Sequence, residues 1–438
     1  MASFHRTAAI LSIGDELTLG QTLDTNSRWL SDQLLSRGIV TIEHATVPDD
    51  RNATASAISR LAAADIVIVT GGLGPTADDL TRQALADAMS DQLIEDDQAL
   101  QQITAWFASR SATMREINKV QALRPSRGLA LPNPNGTAPG IHGSVHAHDV
   151  YCLPGPPHEM KPMFEAQVVP NLRPARKVAT RALHTFGLGE SEIAARLGPL
   201  MDRGRNPVVG TTASQGVVSC RIRYESDATD SSAATAIAEI ESQIHSHLGA
   251  HIFGAESQTL PSVILNLLES RREKLATAES CTGGLLGQLI TDIPGASAAY
   301  LGGWVTYTNE LKHDLVGVPE TNFHPGGPGA VSRETAIAMA VGGLERSGAD
   351  HCLAITGIAG PDGGTPEKPV GTVWIARASV GLLASASGGP VPPRTEARRL
   401  QINADRTTVR DYSAKAALAM LRFYLIGKSE TTMMRQVK

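Results

Sequence analysis

Val69-Thr70-Gly71-Gly72-Leu73-Gly74-Pro75-Thr76-Ala77-Asp78-Asp79-Leu80-Thr81 reads as a strand, a glycine turn and the start of a helix. Gly71, Gly72 and Gly74 let the backbone approach a ligand closely, and successive N–H groups in such a turn, up to Thr76, can cradle a phosphate. The run Ile66–Thr70 is β-branched throughout, as expected of a strand buried on both faces. Outward from it, strand and helix signals alternate. Residues 8–13 read as a strand. Residues 26–37 carry Trp29, Leu30, Gln33 and Leu34 at helical spacing and stop at Gly38; 39–47 are strand-like and 53–64 helical. This alternation predicts a mostly parallel sheet with helices on both faces, an α/β fold whose ligands bind beyond the carboxyl ends of the strands. The loops expected there, 14–20, 47–50 and 71–79, all carry carboxylates or glycines. Asp49 should face the same crevice as Asp78 and Asp79. That adjacent pair could hold a divalent ion bridging phosphates, or could only cap the helix. Gly136-Thr137-Ala138-Pro139-Gly140 and Leu153-Pro154-Gly155-Pro156-Pro157-His158-Glu159-Met160 add two rigid loops at the same rim.

A chain of 438 residues is too long for one core and predicts two or three domains. Its 42% apolar residues, 4% aromatics and 41 glycines suit a loop-rich α/β protein. The net charge of −5 and the absence of a Lys/Arg run argue against nucleic acid as a partner. Cys152, Cys220, Cys281 and Cys352 are scattered without a C-x-x-C, which fits a reducing cytoplasm and gives no zinc signature. No stretch approaches the length that spans a bilayer, so no membrane partner is expected.

From about 177 to 254 the texture changes to a small α+β unit. It comprises a strand ending at Phe186-Gly187, a helix at 191–201, strands at 208–213 and 217–224, and a helix at 233–247. A linker at 254–259 leads to a third, alternating unit with Gly/Pro-rich interruptions at 324–328 and 388–393. Within it, Ala278-Glu279-Ser280-Cys281-Thr282-Gly283-Gly284 sits where a strand turns into a helix at 285–290. Free N–H groups and the helix dipole would favour an anion or a developing oxyanion there, although Ser280 or Thr282 could merely cap the helix. Physical chemistry alone leans toward Cys281 over Ser280 as nucleophile, because a helix N-terminus lowers a thiol pKa. Lys312 would ordinarily be a solvated lysine; it becomes a base only if burial or a nearby cation lowers its pKa.

Together these motifs resemble, over essentially the full length, the competence/damage-inducible CinA family. The resemblance is carried by Gly14-Asp15-Glu16-Leu17, Leu19-Gly20 and Asn26, then by the loops at 71–81, 136–140 and 153–164. It implies a molybdopterin-binding-like front domain at 1–170, a KH-like spacer or dimerisation unit at 171–255, and a nicotinamide-mononucleotide deamidase domain at 256–438. A homodimer is the expected assembly. The middle unit offers no basic G-x-x-G loop of the kind that clamps RNA. For the front domain, the resemblance puts Asp49 and Asp79 at an ADP-ribose pyrophosphatase site. That site would use a divalent metal (magnesium or cobalt), held with Asp78 and assisted by potassium. The alternatives are a pterin-adenylylating front domain and a non-catalytic partner in DNA uptake.

For the rear domain, the resemblance is carried by Gly302-Gly303-Trp304-Val305-Thr306-Tyr307-Thr308-Asn309-Glu310-Leu311-Lys312, by 329–332, 356–364 and 368–373, and by Ala404-Asp405-Arg406 with Arg410. Ala404 replaces a usual glycine, and the region around Pro328 departs from the pattern. The implied roles are Ser280 as nucleophile, Lys312 as base and Tyr307 as proton relay or orienting group. Thr282, Gly283, Gly284, Thr356, Gly357, Gly360 and Arg406 would bind substrate, with no cofactor. Nicotinamide mononucleotide and ADP-ribose are the expected small-molecule partners, both placing the chain in NAD recycling.

Overall fold

The structure, a computed structural model, describes residues 4–227, 232–381 and 392–437; positions 388–391 of the expected 388–393 interruption lie outside it. The chain is mixed α/β and divides into two compact units near residue 180. The first holds one six-stranded sheet, in the order Val40–Val47, Thr7–Ile13, Ile66–Thr70, His148–Leu153, Gly140–Val145, Leu129–Leu131. The first four strands are parallel and the last two antiparallel. Period-two alternation divides the strands between two cores. Ala9, Leu11, Val67, Val69 and Cys152 face Ile58, Leu61 and Leu85 of the helices Arg51–Leu61 and Thr81–Ala88. Ala8, Ile10, Ile66, Ile68 and Leu153 face Leu30, Leu34, Met160 and Phe164 on the other side. Each fully buried aliphatic side chain contributes about 1.5–3 kcal/mol. The result is the three-layer arrangement expected from the alternation, with the antiparallel margin as the part that local patterning does not reveal.

Caps decide where the functional carboxylates go. Asp24 accepts from Ser27 N at 2.9 Å and starts the helix Thr25–Ser36. Asp50 accepts from Ala53 N at 2.7 Å and starts Arg51–Leu61. With Asp50 as the cap, its neighbour Asp49 is left to turn into the loop at the strand's carboxyl end.

The second unit contains the rear sheet and most of the middle segment, whose residues 176–179 and 224–234 fall with the first unit. The middle sheet runs Val208–Ser214, Val217–Asp227, Arg176–Phe186, Ile252–Ala255, with helices Glu190–Leu197 and Ala233–Leu248. Phe186 and Phe253 belong to the same buried core as Tyr412 and Phe423 of the rear helix Arg406–Leu425, so this segment packs into the second unit. The rear sheet is Tyr300–Val305, Leu275–Glu279, His351–Gly357, Thr372–Ser379, Arg394–Gln401, Gln436–Val437. Its first three strands are parallel and the others antiparallel. One face is lined by small residues: Ala276, Ala278, Cys352, Ala354, Ala376 and Ala378. The helix Arg333–Ser347 lies on that face, where a Cβ at Gly343 would fall 2.6 Å from Cys352 Sγ. Among the described residues no helix is long and apolar enough to cross a membrane.

Candidate active sites

The strand Leu275–Glu279 lies inside the rear sheet, second from its edge, and Ser280 N continues its pairing by donating to Ile355 O at 2.9 Å. The next strand ends at Val305, and Thr306 N donates to Glu279 O at 2.7 Å, which sets Thr306 beside the Ser280 turn. Thr308 caps the helix Asn309–Val316, whose buried face presents Lys312 and Val316 at i, i+4 spacing. Lys312 therefore points inward. Only 2% exposed, its Nζ lies 3.1 Å from Ser280 Oγ, 3.0 Å from Thr306 O and 3.4 Å from Tyr307 O. Burial lowers the Lys312 pKa from its ordinary value, an effect that Cys281 and Glu310 offset only in part.

Cys281 turns the other way, into the apolar core with Leu286 and Ile290. Burial there pushes its thiol up to about 12. The thiolate-lowering effect expected from the sequence is outweighed: burial overrides the lowering by the backbone at Cys281 and by Lys312 and Arg410. Glu279, itself buried, accepts from Gly284 N at 3.1 Å, Leu286 N at 3.0 Å and Gly287 N at 2.8 Å. Gly283 N donates to Ser280 O at 2.9 Å. The expected anion-binding N–H groups at Gly283 and Gly284 are thus filled by the chain itself. Thr282, two residues from Ser280, keeps a buried hydroxyl without a partner among the described residues.

The other expected rear residues group around Arg406. Arg406 Nη2 donates to Tyr307 Oη at 3.0 Å, and Nη1 donates to Gly360 O at 2.7 Å. The Tyr307 ring is exposed and its hydroxyl faces Arg406, so only its carbonyl reaches Lys312. That geometry differs from a hydroxyl relay between Ser280 and Lys312. Thr356 donates its hydroxyl to Ala330 O at 2.8 Å, anchoring the preceding loop. Gly357 packs where a Cβ would lie 2.7 Å from Val373 Cγ2. Arg410, one helical turn beyond Arg406, donates to Thr282 O at 2.7 Å. Glu279 and Arg410 stood inside motifs read from the sequence; the partners of Glu279 lie five to eight residues ahead in the turn that follows it, and that of Arg410 is 128 residues away.

In the front unit, the strand ends open on a cavity of about 420 Å³ lined by Gly71, Gly72, Gly74 and Thr76 with Glu16, Asp49, Asp78, Asp79 and Glu159. Gly71 and Gly72 have φ of 103° and 65°, and a Cβ at Gly71 would meet Ile13 O at 2.4 Å. Asp79 does not cap the helix. Its carboxylate accepts from Gly74 N at 2.7 Å, Thr76 N at 2.8 Å and the Thr76 hydroxyl, so the glycine turn closes on its own side chain. Beneath it, fully buried Arg82 donates to Gly74 O at 3.1 Å and to Leu73 O. Burial brings the Arg82 pKa down to about 10. Asp49 exchanges backbone-to-carboxylate bonds with Asp15, at 2.9 and 3.2 Å. Burial raises the Asp49 pKa, and the charges of Asp15, Glu16 and Asp78 add to the rise.

The chain matches three family profiles: "Probable molybdopterin binding domain" over residues 9–174, "Damage-inducible protein CinA KH domain" over 180–254 and "CinA C-terminal domain" over 257–425. It is similar to a competence-damage inducible protein of Symbiobacterium thermophilum, 44% identical over 96% of this chain and 99% of that one. It is also similar to a CinA-like protein of Kosmotoga olearia, 37% identical over 96% and 99%. A solved structure of the competence/damage inducible protein CihA of Agrobacterium tumefaciens is 39% identical, covering 38% of this chain and 93% of that one, with a TM-score of 0.34. Profiles across all three segments and relatives matched end to end agree: the chain belongs to the CinA family.

Proposed function

We propose that the rear unit is a serine–lysine amidohydrolase that converts nicotinamide mononucleotide to nicotinate mononucleotide and ammonia. The observation that carries this reading is the buried Lys312 Nζ, 3.1 Å from Ser280 Oγ. A neutral amine has two N–H donors and one lone pair. Thr306 O at 3.0 Å is the nearest acceptor, with Tyr307 O at 3.4 Å and Thr308 O at 3.5 Å more distant, so two N–H groups of the neutral amine can be directed to carbonyls while its lone pair receives the Ser280 proton. Ser280 Oγ then attacks the carboxamide carbon while the Thr282 hydroxyl donates to the oxyanion. Lys312 returns its proton to the departing ammonia, and water releases the acyl group from Ser280. Arg406, held by Gly360 and Tyr307, is the bidentate partner for the nucleotide phosphate. The four free, buried cysteines suit a reducing cytoplasm.

For the front unit we propose hydrolysis of the phosphate anhydride of ADP-ribose, with a divalent cation. Among the described residues, no three of His, Cys, Asp and Glu converge as a preformed cage. The oxygen donors nonetheless fit magnesium, which takes one or two carboxylates and completes its shell with water and substrate phosphates. Asp49 and Asp78 would hold it, offsetting the burial, and the repulsion added to it, that raise the Asp49 pKa. When bound, the cation would supply charge neutralisation at the phosphates. Asp79 and Arg82 shape the loop around it. The test is incubation of purified protein with each nucleotide, with and without chelator, followed by product chromatography. Absence of nicotinate mononucleotide refutes the rear assignment, and absence of AMP with metal present refutes the front one.

A further inference from the structure

Water that attacks a phosphate anhydride needs a proton acceptor, and most carboxylates around the front cavity are otherwise engaged. Asp79 holds the glycine turn. Asp49, Glu16 and Asp78 crowd one another, which suits them to a cation. Glu159 stands apart. It lines the same cavity from the start of the helix Pro157–Met163. Its Oε2 accepts from Asn133 Nδ2 at 2.7 Å, and Asn133 is itself fixed to Ala138 O at 2.9 Å. The loop at Gly136 lies so close that a Cβ there would fall 2.0 Å from Oε2. This oxygen is clamped. The other, Oε1, has no hydrogen-bond donor among the described residues; the nearest ring nitrogen is Nε2 of the exposed His158 at 3.7 Å. The Glu159 side chain is 15% exposed and lines the cavity, so its carboxylate is largely shielded from bulk water.

We propose that Glu159 is the general base of the front hydrolysis, an inference that rests on the phosphate-anhydride reading of that cavity. Glu159 Oε1 accepts a proton from a water molecule as the water oxygen bonds to phosphorus. The bond from phosphorus to the bridging oxygen breaks, and the departing phosphate carries away the electron pair. The proton leaves Glu159 for solvent before the next turnover. Asn133 and Gly136 restrict the carboxylate to the orientation that exposes Oε1.

The experiment compares wild type, Glu159→Gln and Glu159→Asp on ADP-ribose at saturating magnesium. Binding of a methylene-bridged, non-hydrolysable ADP-ribose analogue, measured by calorimetry, serves as the control for folding. Removal of a general base costs about a hundred- to ten-thousandfold in rate. Glu159→Gln, which can still accept from Asn133, should lose that much in kcat while KM and analogue affinity stay near wild type. Glu159→Asp should recover part of the loss. A Gln variant with kcat near wild type, a loss confined to KM or to the magnesium requirement, or an Asp variant as slow as Gln overturns the base role while leaving the pyrophosphatase reading intact. A wild type inert toward ADP-ribose overturns both.

Discussion

Replacing Lys312 with methionine separates chemistry from stability at the rear site. The side chains have similar length, so the helix Asn309–Val316 keeps its packing. Chemically, Ser280 loses its base, and at 2% exposure of residue 312 no bulk water takes its place. The expected loss is about a hundred- to ten-thousandfold in kcat, which is about 3–5 kcal/mol of barrier. For stability, two terms oppose. The Thr306 carbonyl, in a fully buried residue, loses its Lys312 donor at a cost of about 1–3 kcal/mol. The buried amine disappears, which removes a desolvation penalty of similar size. Net stability should stay within about 2 kcal/mol of wild type, a few degrees in Tm. The sign of the pH dependence follows from the lowered Lys312 pKa. Folded wild type binds fewer protons than unfolded between that pKa and 10.5, so its stability rises with pH across this window. Any advantage of methionine is therefore greatest below the folded pKa and fades above it. Coupled measurement of ammonia release and calorimetric melting decide the matter. A variant retaining more than about a tenth of the wild-type kcat, or one that no longer melts cooperatively, refutes the reasoning.

Deamidation should rise with pH as Lys312 loses its proton, with a midpoint below the ordinary lysine range of about 10.4; a kcat/KM profile whose midpoint matches free lysine contradicts this. Cys281→Ala should keep most of the deamidase rate and Ser280→Ala should lose about a thousandfold or more; iodoacetamide should leave the thiol, pushed up to about 12, largely unmodified at neutral pH, as mass spectrometry will show. Asp79→Ala removes the acceptor for Gly74 N and Thr76 N, so ADP-ribose cleavage should vanish while deamidation in the other compact unit persists; equal loss of both activities counts against separate sites. Gly342→Ala would place a Cβ 1.7 Å from Val316 O, and calorimetry should show a destabilisation of about 1–3 kcal/mol or more.

The α/β layers were legible because their evidence is local. Ile66–Thr70 announces a doubly buried strand by composition, and Trp29, Leu30 and Leu34 announce a helix by spacing. Strand direction is different: nothing in Thr372–Ser379 records that it runs antiparallel to His351–Gly357, because partner and connection lie elsewhere in the chain. The sites divide in the same way. Gly71 and Gly72 were readable, since a positive φ favours glycine wherever it occurs. Ser280 and Lys312 are 32 residues apart, and only family resemblance joined them before the fold did. Asp79 read as a metal ligand or a cap because its position beside a helix start was visible, whereas its bonds to Gly74 and Thr76 required the loop's curvature. Glu279 and Arg82 were passed over because burying a charged residue is the exception; each is buried against backbone groups, three N–H donors for one and two carbonyls for the other.

Glu279 and Asp79 have a shared consequence for how the protein meets its ligands. Each turn carries an internal stand-in for an anion, so its curvature is set before any nucleotide arrives, and little ordering remains to be done on binding. A free phosphate ion competing with nucleotide at the rear site would report on the guanidinium of Arg406, not on the start of the helix Leu285–Thr291. On the proposed deamidation, a mononucleotide held by its phosphate at Arg406 would reach back toward Ser280 with its base, and the distance between charge and amide would then sort the substrates.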